Sequence, residues 1–124
     1  MTIKVLAIDD SRTIRSLVQK VMEDAGFHCA LATDGVEGVA AFVEDPPDVV
    51  ITDINMPNMD GYGVISSIRT GAVRNTVPIL VLTTESAAHL KARAREAGAT
   101  GWIVKPFDDA TIVSVVRRVT GARG

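Results

Sequence analysis

Runs of apolar residues along the chain predict five β-strands. The runs occupy residues 3–8, 27–32, 49–51, 79–82 and 102–104, and the second run is the weakest. The middle runs do not alternate between apolar and polar positions, which is typical of parallel strands that helices cover on both faces. We therefore predict a buried parallel sheet in which the mixed second strand lies at an edge.

The segments between these strands carry apolar residues at helical spacing. The first stripe consists of Ile14, Leu17, Val18, Val21, Met22 and Ala25, and it ends at Gly26. Asp34 and Glu37 resemble a capping box at the start of a second helix, which Pro46 stops. Three further helices are predicted at residues 61–69, 86–97 and 109–121. Ser86 is the expected cap of the fourth helix.

Strands and helices alternate strictly, with about twenty to thirty residues from one strand to the next. Such intervals predict right-handed crossovers and helices on both faces of one sheet. For five strands the common solution is the strand order 2-1-3-4-5. We therefore predict an α/β protein with a flavodoxin-like (βα)5 doubly wound parallel sheet in three layers.

Composition narrows the classes of function. The 124 residues are 47% apolar, and 13 basic and 15 acidic side chains give a net charge of −2. This fits one compact domain over residues 1–124 and disfavours binding to nucleic acid or to an anionic membrane. A lone cysteine suits a reducing compartment, and the first apolar run is too short for a signal core or a membrane span. We expect a cytoplasmic monomer.

Polar residues follow the predicted strands where they end. They are Asp9, Asp10, Asp53, Thr83, Thr84 and Lys105. In an open parallel sheet, ligands bind beyond the carboxyl ends of the strands where the strand order reverses, here between strands 1 and 3. Three carboxylates at that point repel one another unless a cation compensates them. Oxygen ligands without a nearby His or Cys favour Mg²⁺.

A magnesium site of this kind indicates phosphoryl chemistry, in which a carboxylate can accept the phosphoryl group as an aspartyl phosphate. Lys105 and Thr83 suit the amine and the hydroxyl that would clamp such a group. Spacing alone does not assign the nucleophile among the three aspartates. Asp53 stands alone on the central strand, whereas Asp9 and Asp10 are paired, so Asp53 is the better acceptor.

Four motifs in this sequence resemble the receiver domain of two-component response regulators, in order and spacing across the whole chain. They are Asp9-Asp10-Ser11, the segment DINMPNMDG that begins at Asp53, Leu82-Thr83 and Lys105-Pro106-Phe107. Each motif alone is common, but four in order at strand ends are specific. The resemblance implies that Asp53 takes a phosphoryl group from a phosphohistidine of a sensor histidine kinase, or from a small phosphodonor.

The resemblance also implies the roles of the other site residues. The implied metal site comprises Asp10, Asp53, the backbone carbonyl of Asn55 and, through water, Asp9. Thr83 would hydrogen-bond the phosphoryl group, and Lys105 would pair with it. The Lys105–Pro106 bond is often cis in this family, and an X-Pro bond prefers trans by only about 0.5–1 kcal/mol.

The resemblance also implies a conformational switch that phosphorylation controls. Phosphorylation adds roughly −1.5 to −2 charges, which would draw the strand 4 hydroxyl toward the site. In the family an aromatic residue of strand 5 then turns inward, and the surface of helix 4, strand 5 and helix 5 changes for a partner. This sequence has Trp102 where Tyr or Phe is usual. The implied switch and partner surface comprises Glu85, Leu90, Lys91, Trp102 and Phe107.

The sequence shows no output domain after the fifth helix, so we expect a stand-alone regulator that resembles the chemotaxis receivers. Their partner is a flagellar motor switch protein, and a phosphatase can reset them. Asn55 and Glu85 are the pair typical of those proteins, whereas Thr84 replaces the usual Ala or Gly. A phosphorelay intermediate or a phosphate sink is the alternative.

Other classes of function fit less well, and we expect a phosphoacceptor signalling protein rather than an enzyme. An aspartate-nucleophile phosphatase would carry Asp-x-Asp after strand 1, where this sequence has Asp9-Asp10. The same pair would repel the phosphate of a bound flavin, and an unmodified scaffold would not need the complete acceptor set. His28, His89 and Cys29 are more simply surface or packing residues than ligands.

Overall fold

The computed structural model describes residues 2–121, which form a five-stranded parallel sheet flanked by five helices. The strands are β1 (Lys4–Ile8), β2 (His28–Ala32), β3 (Val49–Thr52), β4 (Ile79–Thr83) and β5 (Gly101–Val104). The helices are α1 (Arg12–Asp24), α2 (Gly35–Glu44), α3 (Gly61–Thr70), α4 (Ala88–Ala97) and α5 (Asp109–Thr120). The strand order is β2-β1-β3-β4-β5, so the predicted fold is confirmed, including the edge position of β2.

Two apolar clusters cover the two faces of the sheet and create three layers. One packs α2, α3 and α4 on the sheet and contains the fully buried Phe42 and Ile65. The other packs α1 and α5 on the opposite face and contains Val18 and Ile112. Burial of each such side chain contributes about 1.5–3 kcal/mol. Helices therefore cover both faces of the sheet, and a functional site is expected at the carboxyl ends of the strands.

Side-chain caps begin four of the five described helices. Ser11, Asp34, Asp60 and Asp108 each accept a backbone N–H in the first turn of α1, α2, α3 and α5. The predicted Ser86 cap of α4 is wrong, because the N-cap residue is Ala87 and no side chain caps it. Ser86 lies one residue too early, and the missing cap costs the helix about 1 kcal/mol.

The capping box predicted at α2 forms with a shift of one residue. Asp34 Oδ1 accepts the N–H of Glu37 at 2.9 Å, as expected. The carboxylate of Glu37, however, accepts the backbone N–H of Thr33 at 3.1 Å rather than that of Asp34. The start of α2 is therefore fixed by two side chains.

The loop between β3 and α3 closes tightly on the edge of the sheet. Gly61 donates its N–H to the carbonyl of Ile54 at 2.8 Å. A Cβ atom at position 61 would lie 2.3 Å from the carbonyl oxygen of Asp53, so a glycine is needed for this approach.

Cys29 is buried among apolar residues of β2 and α1, as the sequence predicted. Burial, with a smaller effect from the charge of Glu23, raises the pKa of its thiol to about 12. Within residues 2–121 no helix has the length and apolar content needed to cross a bilayer.

Candidate functional site

The candidate site lies where β1 and β3 end side by side. Ile8 and Thr52 are paired across the two strands, and Asp9 and Asp53 follow them directly. The backbone ladder continues one step further, because Asp53 donates its N–H to the carbonyl of Ile8 at 3.0 Å. The two aspartates are therefore held at the carboxyl edge by the sheet itself.

Three carboxylates meet at this edge. One oxygen each from Asp9, Asp10 and Asp53 lies within 4.8 Å of the other two. Asp9 is buried, Asp53 is half-buried and Asp10 is exposed. The structure thus brings together all three aspartates that the sequence analysis placed in the site, with one of them open to solvent.

Lys105 reaches into the cluster from the end of β5. Its Nζ atom lies 2.8 Å from Asp9 Oδ2 and 3.1 Å from Asp53 Oδ2, and the Lys105–Pro106 peptide bond is cis. Burial acts to lower the pKa of Lys105, but the hydrogen bond to Asp9 and the negative charges of Asp53 and Asp9 outweigh it. The pKa is therefore raised above 10.5, and the amine stays protonated at neutral pH.

Backbone groups occupy the remaining oxygens of two carboxylates. Asp9 Oδ1 accepts the N–H of Ser11 at 2.8 Å, and Asp53 Oδ1 accepts the N–H of Ile54 at 2.6 Å. Arg15 also donates to the backbone carbonyl of Asp9 at 2.8 Å. Among residues 2–121, Asp10 makes no hydrogen bond or ion pair, so its carboxylate is available to a ligand.

The donor set fits a hard divalent cation. The three carboxylates that face one another offer only oxygen atoms, and the single ammonium group of Lys105 does not neutralise all three. Mg²⁺ prefers oxygen ligands, accepts one or two carboxylates and retains several waters, which suits a site that is open at Asp10.

The sequence model of the family described as the response regulator receiver domain matches residues 5–117. The chain belongs to this family. The match includes strands β2 to β5, β1 from its second residue, the acidic cluster and Lys105, so the resemblance inferred from the four motifs is confirmed.

Individual relatives of this receiver domain differ in output. Vibrio cholerae chemotaxis protein CheY4 is 40% identical with a TM-score of 0.91, and the match covers 96% of this chain and 99% of CheY4. A putative response regulator from Chloroflexus aurantiacus is 29% identical with a TM-score of 0.93, covering 98% and 99%. Transcriptional regulatory protein PrrA of Mycobacterium tuberculosis is 36% identical over 121 residues, 98% of this chain and 51% of PrrA. The receiver chain spans about half the length of the curated relatives it matches.

Thr83 and Trp102 of the receiver are joined through Glu85. Thr83 is buried at the end of β4, and its Oγ1 accepts the N–H of Glu85 at 3.4 Å. The carbonyl of Glu85 in turn accepts the indole N–H of Trp102 at 3.0 Å. The start of the β4–α4 connection is thus held between a hydroxyl at the site edge and the aromatic residue of β5.

The residues of the predicted partner surface do not all lie together in the structure. Lys91 and Trp102 line a cavity of about 90 Å³ between α4 and β5, together with Arg95 and Thr100. Leu90 is half-buried on α4. Phe107 packs instead on the cluster that joins α1 and α5 to the sheet, so the structure does not bring it to this cavity.

Several polar contacts around the site were not foreseen. Tyr62 of α3 donates its hydroxyl to the carbonyl of Leu90 at 3.2 Å, and the guanidinium of Arg93 lies 3.8 Å from the centre of the Tyr62 ring. Asn58 donates to Asp34 Oδ2 at 2.6 Å. Asn58 belongs to the motif DINMPNMDG, but its contact with the residue that caps α2 leaves no periodic signature in the sequence.

Proposed function

We propose that this receiver domain is a phosphoacceptor in a two-component pathway and that Asp53 accepts the phosphoryl group with the help of Mg²⁺. The observation that supports this most strongly is the meeting of three carboxylates with the Lys105 amine at one sheet edge. A purely structural ion pair with Lys105 would need only one carboxylate.

The chemistry assigned to Asp53 is a nucleophilic displacement at phosphorus. A carboxylate oxygen of Asp53 forms the new P–O bond while the P–N bond of a phosphohistidine breaks, and the histidine leaves as neutral imidazole after taking up a proton. Lys105, 3.1 Å from Asp53, would then pair with the transferred group. Its raised pKa keeps the required positive charge.

The metal ligands are proposed to be Asp10, Asp53 and the backbone carbonyl of Asn55. Asp9 would act through water, as the resemblance to the family implies, while its two oxygens accept from Ser11 and Lys105. A bound Mg²⁺ would neutralise the negative charge that the carboxylates and the phosphoryl oxygens bring together. The affinity for Mg²⁺ also depends on the side chains that hold the ligand oxygens in position.

Incubation with acetyl phosphate and Mg²⁺, followed by intact mass measurement, tests this function. The native protein is expected to gain one phosphoryl group, and Asp53→Asn is expected to gain none. Asp48→Asn is a matched control, because Asp48 lies at the opposite edge of the sheet, where it accepts the N–H of Lys4. A mass gain that persists in Asp53→Asn contradicts the assignment.

The output is proposed to pass through the Thr83–Glu85–Trp102 contacts to the surface of α4 and β5. A phosphoryl group on Asp53 adds acceptor oxygens that compete for the Thr83 hydroxyl. Movement of Thr83 removes the acceptor of the Glu85 N–H and so disturbs the carbonyl that Trp102 binds. The basic cavity rim formed by Lys91 and Arg95 lies directly beside this indole.

The partner is proposed to be a flagellar motor switch protein, and the likeness to CheY4 over nearly all of both chains supports this. The likeness to PrrA favours a different output, in which the receiver domain controls transcription. Transfer onward to a phosphorelay protein is the third possibility. Binding of the motor switch protein from the same genome should increase on phosphorylation; equal binding by the phosphorylated and unmodified forms would rule out the motor assignment.

A further inference from the structure

The proposed cation site uses a backbone carbonyl as well as side chains, and that carbonyl belongs to a loop. Residues 53–60 connect β3 to α3, and Asn55 is exposed within them. The loop is tied at one end by the N–H of Ile54, which donates to Asp53, and at the other by Gly61, which donates to Ile54. These contacts leave residues 55–59 to be positioned by other parts of the fold.

Asn58 connects this stretch to α2. Its Nδ2 donates to Asp34 Oδ2 at 2.6 Å, while Asp34 Oδ1 accepts the N–H of Glu37 and caps the helix. Within residues 2–121, this is the one hydrogen bond from residues 55–59 to a residue outside the loop. Asn58 also has a φ of 68°, a left-handed conformation that Asn tolerates better than most residues.

The backbone of the same loop rests on the first residue of α2. A Cβ atom at Gly35 would lie 2.3 Å from the carbonyl oxygen of Met59. The loop therefore packs directly against the start of the helix. The cap to Glu37, and after it the hydrogen bond from Asn58, lower the pKa of Asp34, so its carboxylate stays charged at neutral pH.

We propose that Asp34 and Asn58 are positioning residues for the cation site. Asp34 uses one oxygen to begin α2 and the other to hold the loop, and together they fix the backbone that presents the Asn55 carbonyl. Neither side chain needs to contact the ion. This inference rests on the proposed binding of Mg²⁺, and it adds α2, which contributes no ligand, to the parts of the fold that set the affinity.

The Asn58→Asp variant distinguishes a positioning role of Asn58 from a purely electrostatic effect on Mg²⁺ binding. The variant keeps the size of the side chain but sets two carboxylates against each other, which breaks the contact with Asp34. Its added negative charge alone would strengthen Mg²⁺ binding. Positioning predicts the reverse, a loss of about tenfold in Mg²⁺ affinity, as for other residues that orient metal ligands. Calorimetric titration with Mg²⁺, without any phosphodonor, measures this affinity.

The reciprocal variant Asp34→Asn with Asn58→Asp tests whether the pair acts as a pair. Asn at position 34 can still cap Glu37 through its carbonyl oxygen, and its amide can donate to the new carboxylate at position 58. The net charge equals that of the native protein. We expect the double variant to recover most of the native affinity; failure to recover it overturns the pairing.

Asp34→Ser provides a second route if Asn58→Asp does not fold. Serine retains the helix cap but is too short to reach Asn58. Asp48→Ser is the matched control, because it removes the same charge at the opposite edge of the sheet. We expect weaker Mg²⁺ binding and faster amide exchange over residues 55–59 in Asp34→Ser only. Equal affinities in the two serine variants overturn the inference.

The failure of this inference is distinguishable from failure of the proposed function. Native protein that binds no Mg²⁺ refutes the cation site itself. Native protein that binds Mg²⁺, together with an Asn58→Asp variant that binds it equally well or more tightly, refutes only the role of Asp34 and Asn58.

Discussion

Lys105 and Asp9 show what the sequence predicts at the scale of single residues. Position 105 was expected in the site because it directly follows the fifth strand, and its amine does contact Asp9 and Asp53. The sequence did not show that Asp9, rather than Asp10, is the buried partner. Consecutive residues at a strand end point in different directions, and the backbone beyond the strand decides which side chain turns inward.

Cys29 gives a prediction on pH dependence. Its thiol pKa is about 12 in the fold against an ordinary value of 9.0, so the unfolded chain loses this proton first as the pH rises. Ionisation of the unfolded state lowers the free energy of unfolding between these two values, by up to about 1.4 kcal/mol per pH unit. Urea denaturation at several alkaline pH values measures this slope.

Cys29→Ala is the comparison that isolates this effect. The raised pKa of Tyr62, due mainly to burial, acts in the same direction but is present in both proteins. The variant should therefore lose stability less steeply in the alkaline range. Parallel stability curves for the two proteins would show that the Cys29 thiol is not protected in the fold.

At the scale of elements, α4 is the least predictable part of the fold. The sequence predicted a Ser86 cap, but the helix has no side-chain cap, and its one buried residue is Ala94. It is held instead by polar contacts from α3: Tyr62 binds the carbonyl of Leu90, and Arg69 binds that of Gly98 at 2.9 Å. Such contacts link residues far apart in sequence and leave no pattern to detect.

Tyr62→Phe is expected to loosen α4 specifically. Loss of the hydroxyl removes the donor that ties the Leu90 carbonyl to α3, at a cost of about 1 kcal/mol, which corresponds to about fivefold faster amide exchange in α4. Exchange in α1 should not change. Hydrogen–deuterium exchange with mass spectrometry measures both helices.

Thr120→Val is the matched control for this experiment. It removes a hydroxyl that donates to the carbonyl of Val116 in α5, at 2.7 Å, and touches neither α3 nor α4. Exchange in α4 should be the same in Thr120→Val and the native protein. An α4 that exchanges equally in Tyr62→Phe and native protein would show that this hydroxyl does not anchor the helix.

At the scale of the whole molecule, the alternation of apolar runs and amphipathic helices was enough to predict the fold and its strand order. The same order placed the acidic residues at the point where β1 and β3 meet, so the candidate site followed from topology. The output partner did not follow, because a partner is recognised by surface chemistry that the fold leaves free to vary.

Trp102, the one tryptophan in the sequence, reports on communication across the molecule. Its indole donates to the carbonyl of Glu85 and lines the cavity between α4 and β5. We expect its fluorescence to change more on phosphorylation with acetyl phosphate and Mg²⁺ than on addition of Mg²⁺ alone. Thr83→Ala should reduce the phosphorylation-dependent change. Equal responses to Mg²⁺ with and without acetyl phosphate would contradict the proposed path.

Chemical mapping of the phosphorylated residue tests the central claim most directly. After reaction with acetyl phosphate and Mg²⁺, borohydride reduction converts an aspartyl phosphate into homoserine, and peptide mass spectrometry locates it among the 15 acidic residues of the chain. We expect homoserine at position 53 alone, and none when Mg²⁺ is removed by a chelator. Homoserine at position 9 or 10, or phosphorylation on a residue outside the acidic cluster, would contradict the account.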